Sequence, residues 1–473
     1  MGGFKEIVKH GGNYLTANLA TKALAFISIP VYTRLLSADE YGIISIFIGV
    51  IAILGSVMSF SADRSVSRFY FDQKGPEDFK QFVSTSSFLA GIFFLINTVI
   101  LIVFAEEFGE LVGLSKRVVY LLIPVTFINI IGLTFEQIYG PIKKSKTIAL
   151  SSLARVYLGF AFSITFIFIF KDNRYYGQII GQIFAGILMI IYWVKKIKPY
   201  FKFSFNIKYV KYIFTYSIPL IPYALSGVII AQFGKIAIGS DQGLAEAGFY
   251  SLAATLGGLV SIIISVTHQA WNPYYMEYMN SKNYLQIDID FNKIFKITIL
   301  SAFVISAFGK EIGLLIAKED FVGSLYLIPI FTMGYIFYQF AYVYLRNFGY
   351  SKKTHYMTIT VFISGLSNIL MNIIFIDKYG ELGAAISFAL SYVVMAVVAW
   401  FFNSFFVKLH SPNLKPIFLA ILLVIPFYFF LYKLIIFESI LISIFIKLFL
   451  VAILSLLLFW KEKNEIIKAI KSF

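Results

Sequence analysis

Apolar stretches of about twenty residues recur along the whole chain, and short polar segments separate them. A helix needs about 20 apolar residues to cross the hydrocarbon core of a membrane, whereas a tilted β-strand needs only about 10. Because backbone groups cannot remain unpaired in lipid, segments of this length should be helices. The pattern predicts an all-α integral membrane protein. We expect fourteen spans, at about residues 11–34, 41–63, 82–105, 117–140, 147–170, 175–194, 212–236, 245–272, 294–317, 321–345, 355–376, 381–407, 416–436 and 439–460.

The composition excludes an ordinary soluble domain. Hydrophobic residues make up 59% of the 473 residues and charged residues only 14%, against about 45–50% and 25% in soluble domains. The 40 Lys and Arg exceed the 25 Asp and Glu, which gives a net charge of +15. Most of these cations fall in alternate loops of the predicted topology, so we expect a cytoplasmic membrane protein with both termini in the cytoplasm. The surplus of positive charge therefore indicates which loops are cytoplasmic. We do not expect a nucleic-acid partner.

No resident metal or cofactor is expected. The chain contains no cysteine, which excludes disulfides and cysteine-bound metals, and its four histidines lie far apart in sequence. No Walker A sequence is present, so ATP would have to act on a separate subunit.

An internal duplication divides the chain. Three short matches recur in one order at an offset of about 206 residues: Ser37–Gly42 with Gly243–Gly248, Leu122–Pro124 with Leu327–Pro329, and Gly177 with Gly383. We predict two six-helix lobes, residues 1–200 and 201–410, joined by the basic loop 195–211. Two extra helices and a cytoplasmic tail follow in residues 411–473. In transporters with such repeats the substrate site lies between the lobes, and access alternates when they rock. A channel is the less favoured alternative.

Ionisable side chains within the predicted spans are candidates for a substrate site, because inserting one costs roughly 2.5–3.5 kcal/mol. Lys22 lies midway along the first span and shares a helical face with Asn18 and Tyr14. Arg155 lies in the fifth span, three residues after Ser152. We expect Lys22, Asn18 and Arg155 to face a hydrated cavity.

Polar stripes also occur in the second half. His268 lies in the eighth span, and Gln339 and Arg346 lie in the tenth. We expect these three residues to contact substrate in the same cavity. The alternative is hydrogen bonding between helices, which contributes only about 0.6 kcal/mol per contact.

The sign of the buried charges favours an anionic substrate. The cations lie deepest in the spans, whereas the acids lie mostly at span ends or in loops, with Glu136 coming closest to a midspan position. Lys and Arg both bind phosphate well. A pump for cationic drugs would require the opposite charge.

Four cations near span ends have two interpretations each. Arg64 and Arg68 share one helical face at the inner end of the second span, and either reach lipid phosphates or bind an anionic headgroup of the substrate. Arg34 and Lys235, at outer helix ends, are either interfacial anchors or cavity residues.

Prolines within the predicted spans suggest a gate. Pro30 in the first span, and Pro219 and Pro222 in the seventh, each free a backbone carbonyl and permit a kink. We predict that these bends accompany gating. The G-x-x-x-G pair Gly177 and Gly181 is expected to pack within the chain rather than form a dimer face.

Catalysis is not expected. Asp288 and Asp290 form a D-x-D pair like that of metal-dependent glycosyltransferases, but a structural role is favoured for so short a motif. Membrane glycan enzymes generally need a large extracytoplasmic loop, and every predicted outer loop here is short.

Several segments resemble the polysaccharide transporter branch of the multidrug/oligosaccharidyl-lipid/polysaccharide (MOP) exporter superfamily. They are Asn18–Thr33, Arg34–Gly42, Asp63–Arg64, Arg68–Tyr70 and Ser217–Pro222. Together with the fourteen-span layout, the likeness covers nearly the whole chain. It implies a MATE-like fold of two lobes that operate by alternating access. The cationic cavity residues of that branch match Lys22, Arg64, Arg68 and Arg155.

The resemblance also implies a function. Members of this branch flip an undecaprenyl-pyrophosphate-linked oligosaccharide, such as an O-antigen repeat unit, from the inner to the outer leaflet. Implied partners are the lipid-linked oligosaccharide, membrane lipids, a polysaccharide polymerase and other assembly proteins, with H+ or Na+ as the coupling ion. The alternatives are a lipid II flippase, a multidrug exporter, and a non-transporting scaffold or membrane glycan enzyme.

Overall fold

The computed structural model describes residues 20–21, 23–24, 26–412, 414–415 and 440–460, and within them the regular structure is entirely helical. The first helix, α1, covers residues 26–35, with helical residues before it. The helices that follow are α2 Ala38–Met58, α3 Arg64–Phe69, α4 Pro76–Val103, α5 Ala105–Val112, α6 Lys116–Tyr139, α7 Ser145–Ile169, α8 Tyr175–Ile197, α9 Ile207–Ser217, α10 Leu220–Asp241, α11 Leu244–Gly257, α12 Leu259–Asn280, α13 Tyr284–Ile316, α14 Ile328–Tyr350, α15 Thr354–Phe402 and α16 Ile440–Phe459.

The prediction of an all-α membrane protein is confirmed. Among the described residues, 11 helical stretches are long and apolar enough to cross a membrane. The first predicted span lies partly outside these residues and the thirteenth lies wholly outside them, so the number fourteen stays a prediction. The eleventh predicted span and most of the twelfth fall within α15, which ends at Phe402.

A single glycine separates those two spans. Gly380 interrupts α15 with φ 57° and ψ −135°, a backbone conformation that side chains other than glycine rarely adopt. A Cβ atom there would also lie 2.6 Å from Oε1 of Gln242. The amide Nε2 of Gln242 donates to the carbonyl of Ile376 at 3.3 Å. Gly380 therefore allows the chain to turn between the two predicted spans.

The chain forms two compact units. Unit 1 comprises Met1–Phe249, Ile316–Lys318 and Ile369–Ala384, and unit 2 comprises Tyr250–Leu315, Glu319–Asn368 and Ala385–Phe473. The predicted lobe boundaries at residues 200 and 410 remain predictions.

Close helix packing in unit 1 depends on glycines. A Cβ atom at Gly177 would lie 2.6 Å from the backbone nitrogen of Ile167, and one at Gly181 would lie 2.4 Å from that of Ser163. The G-x-x-x-G face of α8 thus lies directly on the backbone of α7. This confirms that the motif packs within the chain.

The duplicated motif makes a reciprocal contact in unit 1. Ser37 caps α2, since its hydroxyl accepts from the backbone nitrogen of Glu40 at 3.2 Å and the Glu40 carboxylate accepts from that of Ser37 at 3.0 Å. A Cβ atom at Gly42 would lie 1.8 Å from the carbonyl oxygen of Leu244, and one at Gly248 would lie 2.6 Å from that of Ala38. Each glycine therefore meets the start of the other copy of the motif.

Aromatic side chains fill the core of unit 2. Fully buried rings come from α12, α13 and α14: Tyr275, Phe291, Phe295, Phe303, Phe331, Tyr344 and Phe348. Two lysines join α13 to α16. Lys447 pairs with Glu311, and the Lys296 ammonium lies 5.9 Å from the centroid of the Phe459 ring.

Candidate functional site

Unit 1 contains a cavity of about 420 Å³ among α1, α2, α6, α7 and α8. Its lining is mixed. Aliphatic side chains such as Leu24 and Val125 contribute part of the wall. The polar and aromatic residues that line it are Ser28, Tyr32, Glu136, Ser152, Arg155, Phe160, Gln178, Gln182 and Trp193. A cavity of this size is within the usual range for small-molecule sites.

Arg155 lines this cavity, and its predicted contact with substrate stays a prediction. Its guanidinium donates from Nη2 to the side-chain oxygen of Asn129 on α6, and lies 5.6 Å from the centroid of the Trp193 ring. The Trp193 indole nitrogen donates to the hydroxyl of Ser151 at 2.7 Å, which fixes the ring. Arg155 is thus held from two sides while part of its surface stays exposed.

A glycine on α6 makes room for the indole. A Cβ atom at Gly132 would lie 2.9 Å from Cη2 of Trp193, so a larger residue would displace the ring on which Arg155 rests. Nothing in the spacing of Gly132 and Trp193 in the sequence indicates that they meet.

Glu136 brings a carboxylate to the same cavity. It lies on the last turns of α6 and shares the lining with Arg155 and Ser152. The cavity therefore carries both signs of charge. A lone Arg would attract any anion, whereas Arg with Glu, two glutamines and aromatic rings offers donors, acceptors and stacking surfaces to one ligand.

Two of the predicted first-span residues, Asn18 and Lys22, lie outside the described residues. Pro30 lies within α1 and is half-buried. The first-span residues that line the cavity are Leu24, just before α1, and Ser28 and Tyr32 of α1. They follow one another at four-residue spacing, which corresponds to one helical face. The first span therefore contributes to the cavity wall.

Arg64 and Arg68 do not line this cavity. Arg64 is half-buried at the start of α3. Arg68 is exposed and pairs with Asp72 at 3.1 Å, while Asp72 also accepts a hydrogen bond from the Tyr212 hydroxyl at 2.7 Å. Arg68 thus belongs to a surface cluster that ties α3 to α9.

The same surface has a second tyrosine contact. The Tyr209 hydroxyl donates to the Asp78 carboxylate. Burial and this hydrogen bond raise the pKa of Tyr209 to about 12. The phenol is therefore neutral at physiological pH and serves as a donor that holds α9 against α4.

Three predicted residues meet inside unit 2. His268 on α12 and Gln339 and Arg346 on α14 have exposures of only 1%, 0% and 8%. The Arg346 Nη2 group lies 2.9 Å from Nδ1 of His268. Because a guanidinium only donates, this Nδ1 accepts, and the imidazole proton is assigned to Nε2. Nε2 then donates to Oε1 of Gln339 at 2.8 Å.

Aromatic rings surround the Arg346 guanidinium. Its central carbon lies 4.7 Å from the ring centroid of Trp271, 5.1 Å from that of Tyr275 and 5.4 Å from that of Tyr342. The Tyr342 ring also stacks on His268 at 3.9 Å. These cation–π contacts stabilise the buried charge of Arg346. Among the residues that the structure describes, Nη1 of Arg346 and Nε2 of Gln339 have no hydrogen-bond partner.

The two carboxylates of the D-x-D pair contact other side chains of the protein. Asp288 pairs with His410 at 2.8 Å, and Asp290 accepts from the Trp271 indole at 3.2 Å and from Gln286 at 2.7 Å. Both carboxylates of the D-x-D pair are thus engaged in packing. Across the described residues, no three His, Asp or Glu side chains converge in a way that could hold a metal ion.

The two prolines of the seventh predicted span lie where α9 ends and α10 begins. Pro219 occupies the position before the first residue of α10, with φ −65°, and Pro222 lies in its first turn. The Ser217 hydroxyl just before them donates to the carbonyl of Ser61 at 2.9 Å. Their role in gating, like that of Pro30, stays a prediction.

The outer cations differ in their surroundings. Lys235 is half-buried and lies along α2, where a Cβ atom at Gly49 would be 2.8 Å from its Cε atom. Arg34 is exposed at the end of α1.

Sequence analysis missed one buried ion pair. Glu311 lies within the ninth predicted span and pairs with Lys447 of α16, whose side chain is only 3% exposed. The Ser443 hydroxyl, one turn before Lys447, lies 3.5 Å from the same carboxylate oxygen. The midspan lysine in an otherwise apolar helix was the signal that a carboxylate partner should exist.

Comparisons with known proteins agree with this fold. A curated relative from Haloferax volcanii, "Probable low-salt glycan biosynthesis flippase Agl15", is 20% identical over 83% of this chain and 82% of its own length. The solved structure of the lipid II flippase MurJ, in an inward closed conformation, has a TM-score of 0.71 at 17% identity, covering 94% of this chain and 98% of that one. These similarities show the fold.

A second solved structure has the same architecture. It is the inward-facing conformation of a multidrug resistance MATE family transporter of the MOP superfamily, with a TM-score of 0.60 at 16% identity, covering 82% of this chain and 98% of that one. The model of the family described as "Polysaccharide biosynthesis protein" matches residues 7–279, more than half of the chain. The resemblance seen in the sequence is confirmed: the fold is similar to those of the MurJ and MATE structures, and the chain belongs to the family described as "Polysaccharide biosynthesis protein".

Proposed function

We propose that this protein flips an undecaprenyl-pyrophosphate-linked oligosaccharide repeat unit from the inner to the outer leaflet of the cytoplasmic membrane. Transport proceeds by alternating access, both termini are cytoplasmic, and an ion gradient of H+ or Na+ drives it. The observation that carries the proposal is Arg155, held beside Trp193 in a cavity of mixed polarity within a bundle of membrane-spanning helices.

The chemistry of the cavity suits a glycan attached to phosphate. Guanidinium groups bind phosphate oxygens through charge-assisted hydrogen bonds. Tyr32 and Trp193 offer flat apolar faces with polar edges, and Gln178, Gln182 and Glu136 offer donors and acceptors for hydroxyl groups. An all-apolar ligand would leave these polar groups unpaired, which costs free energy.

The other substrate contacts remain part of the proposal. Lys22 and Asn18 extend the polar face of the first span, and Arg64 and Arg68 receive the anionic headgroup during loading. In unit 2, Arg346 and its neighbours His268 and Gln339 supply a second cationic position. Support comes from the buried Nη1 of Arg346, which has no hydrogen-bond partner in the described part of the chain.

A lipid II flippase is the second candidate, favoured by the fold similarity to MurJ at a TM-score of 0.71. Its substrate also carries pyrophosphate on a polyprenyl chain, so the cavity cation would serve either function. The two candidates differ in the glycan and in the partners: a repeat-unit flippase would supply a polysaccharide polymerase and other assembly proteins.

Complementation in two strains separates the candidates. We expect the protein to restore polymer export in a strain that lacks its repeat-unit flippase, and not growth in a strain depleted of its lipid II flippase. Arg155→Ala should abolish restoration at equal membrane abundance, while Arg117→Ala, an exposed arginine outside the cavity, should not. Rescue of only the lipid II strain would reverse the assignment, and full activity of Arg155→Ala would remove its physical basis.

A further inference from the structure

A second, apolar groove in unit 1 lies away from the cavity described above. It has a volume of about 320 Å³ and lies among α4, α6 and α8, where its walls include Gly91, Phe94, Phe127 and Val194. Among the described residues that line the groove, Lys198, just after α8, is the only charged one. Phe127 is 43% exposed and Val194 is 51% exposed, so the groove is open along its side.

The length of the groove corresponds to a large part of one membrane leaflet. Along α4 it extends from Ser87 to Phe94, and along α6 from Thr134 to Phe127. At 1.5 Å per residue each distance is about 10 Å, against about 15 Å for half of a 30 Å hydrocarbon core. The groove therefore begins beside the cation at the membrane surface and ends within the same leaflet.

The segment that follows α8 is basic and aromatic. Six exposed lysines lie between residues 195 and 211, and no acidic residue occurs there: Lys195, Lys196, Lys198, Lys202, Lys208 and Lys211. Of these six lysines, only Lys202 forms an ion pair within the described part of the chain. Its partner is Glu77, at 3.2 Å. Phe203 is 87% exposed and Ile207 is 71% exposed. Such a surface lies at the membrane interface and attracts anionic lipid headgroups.

We propose that this groove binds an anionic phospholipid of the leaflet on the side of the basic segment. One acyl chain lies against Phe94 and Phe127, and the headgroup phosphate pairs with Lys198. Basic pockets between membrane helices bind anionic headgroups in this way. A groove of about 10 Å covers a larger part of an acyl chain than of the much longer polyprenyl chain, which favours the acyl chain.

Groove filling tests the acyl-chain contact. A Cβ atom at Gly91 meets no atom within 4 Å, and Gly91 lines the groove, so Gly91→Phe adds a side chain at the groove wall. The full-length protein in detergent is titrated with phosphatidylglycerol, and bound lipid is measured by native mass spectrometry. We expect Gly91→Phe to weaken binding about tenfold. The control Gly55→Phe, at a glycine that is equally open but outside the groove, should bind like the wild type.

Charge removal tests the headgroup contact. Lys198→Gln should weaken phosphatidylglycerol binding about fivefold, whereas Lys146→Gln, an exposed lysine at the start of α7, should not. Phosphatidylcholine should bind about fivefold more weakly than phosphatidylglycerol.

Three results would overturn the assignment: wild-type binding by Gly91→Phe, equal binding of the two lipids, or stoichiometric displacement of phosphatidylglycerol by undecaprenyl pyrophosphate. The last would assign the groove to the substrate chain. Because the measurement does not depend on transport, its outcome is separate from that of the proposed function.

Discussion

Two arginines within the helices of this protein, the half-buried Arg155 and the buried Arg346, have different surroundings. Arg155 in unit 1 lines a cavity with Glu136. It donates a hydrogen bond to the side chain of Asn129 and lies over the Trp193 indole. Arg346 in unit 2 is enclosed by three aromatic rings and a neutral imidazole. The first has room for a ligand beside it, while the second is part of the packing. The same residue type in a membrane helix can therefore serve transport chemistry, helix packing, or both.

The largest effect is expected when Arg155 loses its charge. Arg155→Met should lower the transport rate about 30-fold, because one charge-assisted hydrogen bond to phosphate is worth about 1.5–3 kcal/mol, while the stability stays close to that of the wild type. Transport is measured in proteoliposomes with a fluorescent lipid-linked oligosaccharide, and stability is measured by thermal unfolding in detergent. Arg155→Lys, which retains the charge, should recover part of the rate. A large loss of stability in Arg155→Met would give this residue the role assigned to Arg346.

The second prediction concerns Arg346. Arg346→Met should lower the free energy of unfolding by about 2 kcal/mol, because it removes the cation–π contacts and leaves Nδ1 of His268 without its donor. If Arg346 also contacts substrate, transport per folded molecule should fall about tenfold. Rates normalised to folded protein distinguish the two roles. A normalised rate equal to that of the wild type would restrict Arg346 to packing.

A smaller effect is expected from the support beneath Arg155. Trp193→Phe keeps an aromatic ring but removes the hydrogen bond to Ser151, worth about 1 kcal/mol, so we expect transport to fall about fivefold with little change in stability. Trp400→Phe, at an exposed ring on α15, is the matched control. If the two variants transport at the same rate, the indole hydrogen bond does not position Arg155.

The smallest effect is expected at the surface pair of Arg68 and Asp72. Exposed ion pairs contribute only about 0–1 kcal/mol. If Arg68 receives the substrate headgroup, Asp72→Asn should release it and strengthen substrate loading about twofold, whereas Arg68→Ala should weaken loading about twofold. Loading is measured as the apparent affinity for the lipid-linked oligosaccharide at fixed ionic strength. Unchanged affinity in both variants would favour the interpretation of Arg68 as an interfacial anchor.

The sequence was most informative where a single physical cost dominated. Burying Arg155 in lipid is expensive, so its presence within an apolar span predicted that it would face a cavity, which it does. The stripe of Gln339 and Arg346 likewise predicted a face turned away from lipid. That stripe did not indicate whether the face meets water or another helix, because the helical period identifies a face and not its neighbour.

Contacts between distant segments could not be read from the sequence. Glu311 and Lys447 are 136 residues apart, and neither position carries a local signal that names the other. The same holds for Gly132 beneath Trp193 and for the groove beside Lys198. Such contacts depend on which helices pack together and at what rotation.

By itself, the sequence determined the membrane environment, the helical class, the family resemblance and a short set of ionisable candidates. These follow from hydropathy, the need to pair backbone groups in lipid and the cost of burying charge, all of which act on a segment and its own side chains. Only the tertiary structure decided that Arg155 shares a cavity with Glu136 and that aromatic rings enclose Arg346. Those outcomes depend on packing between helices far apart in the chain, where shape complementarity selects the partners.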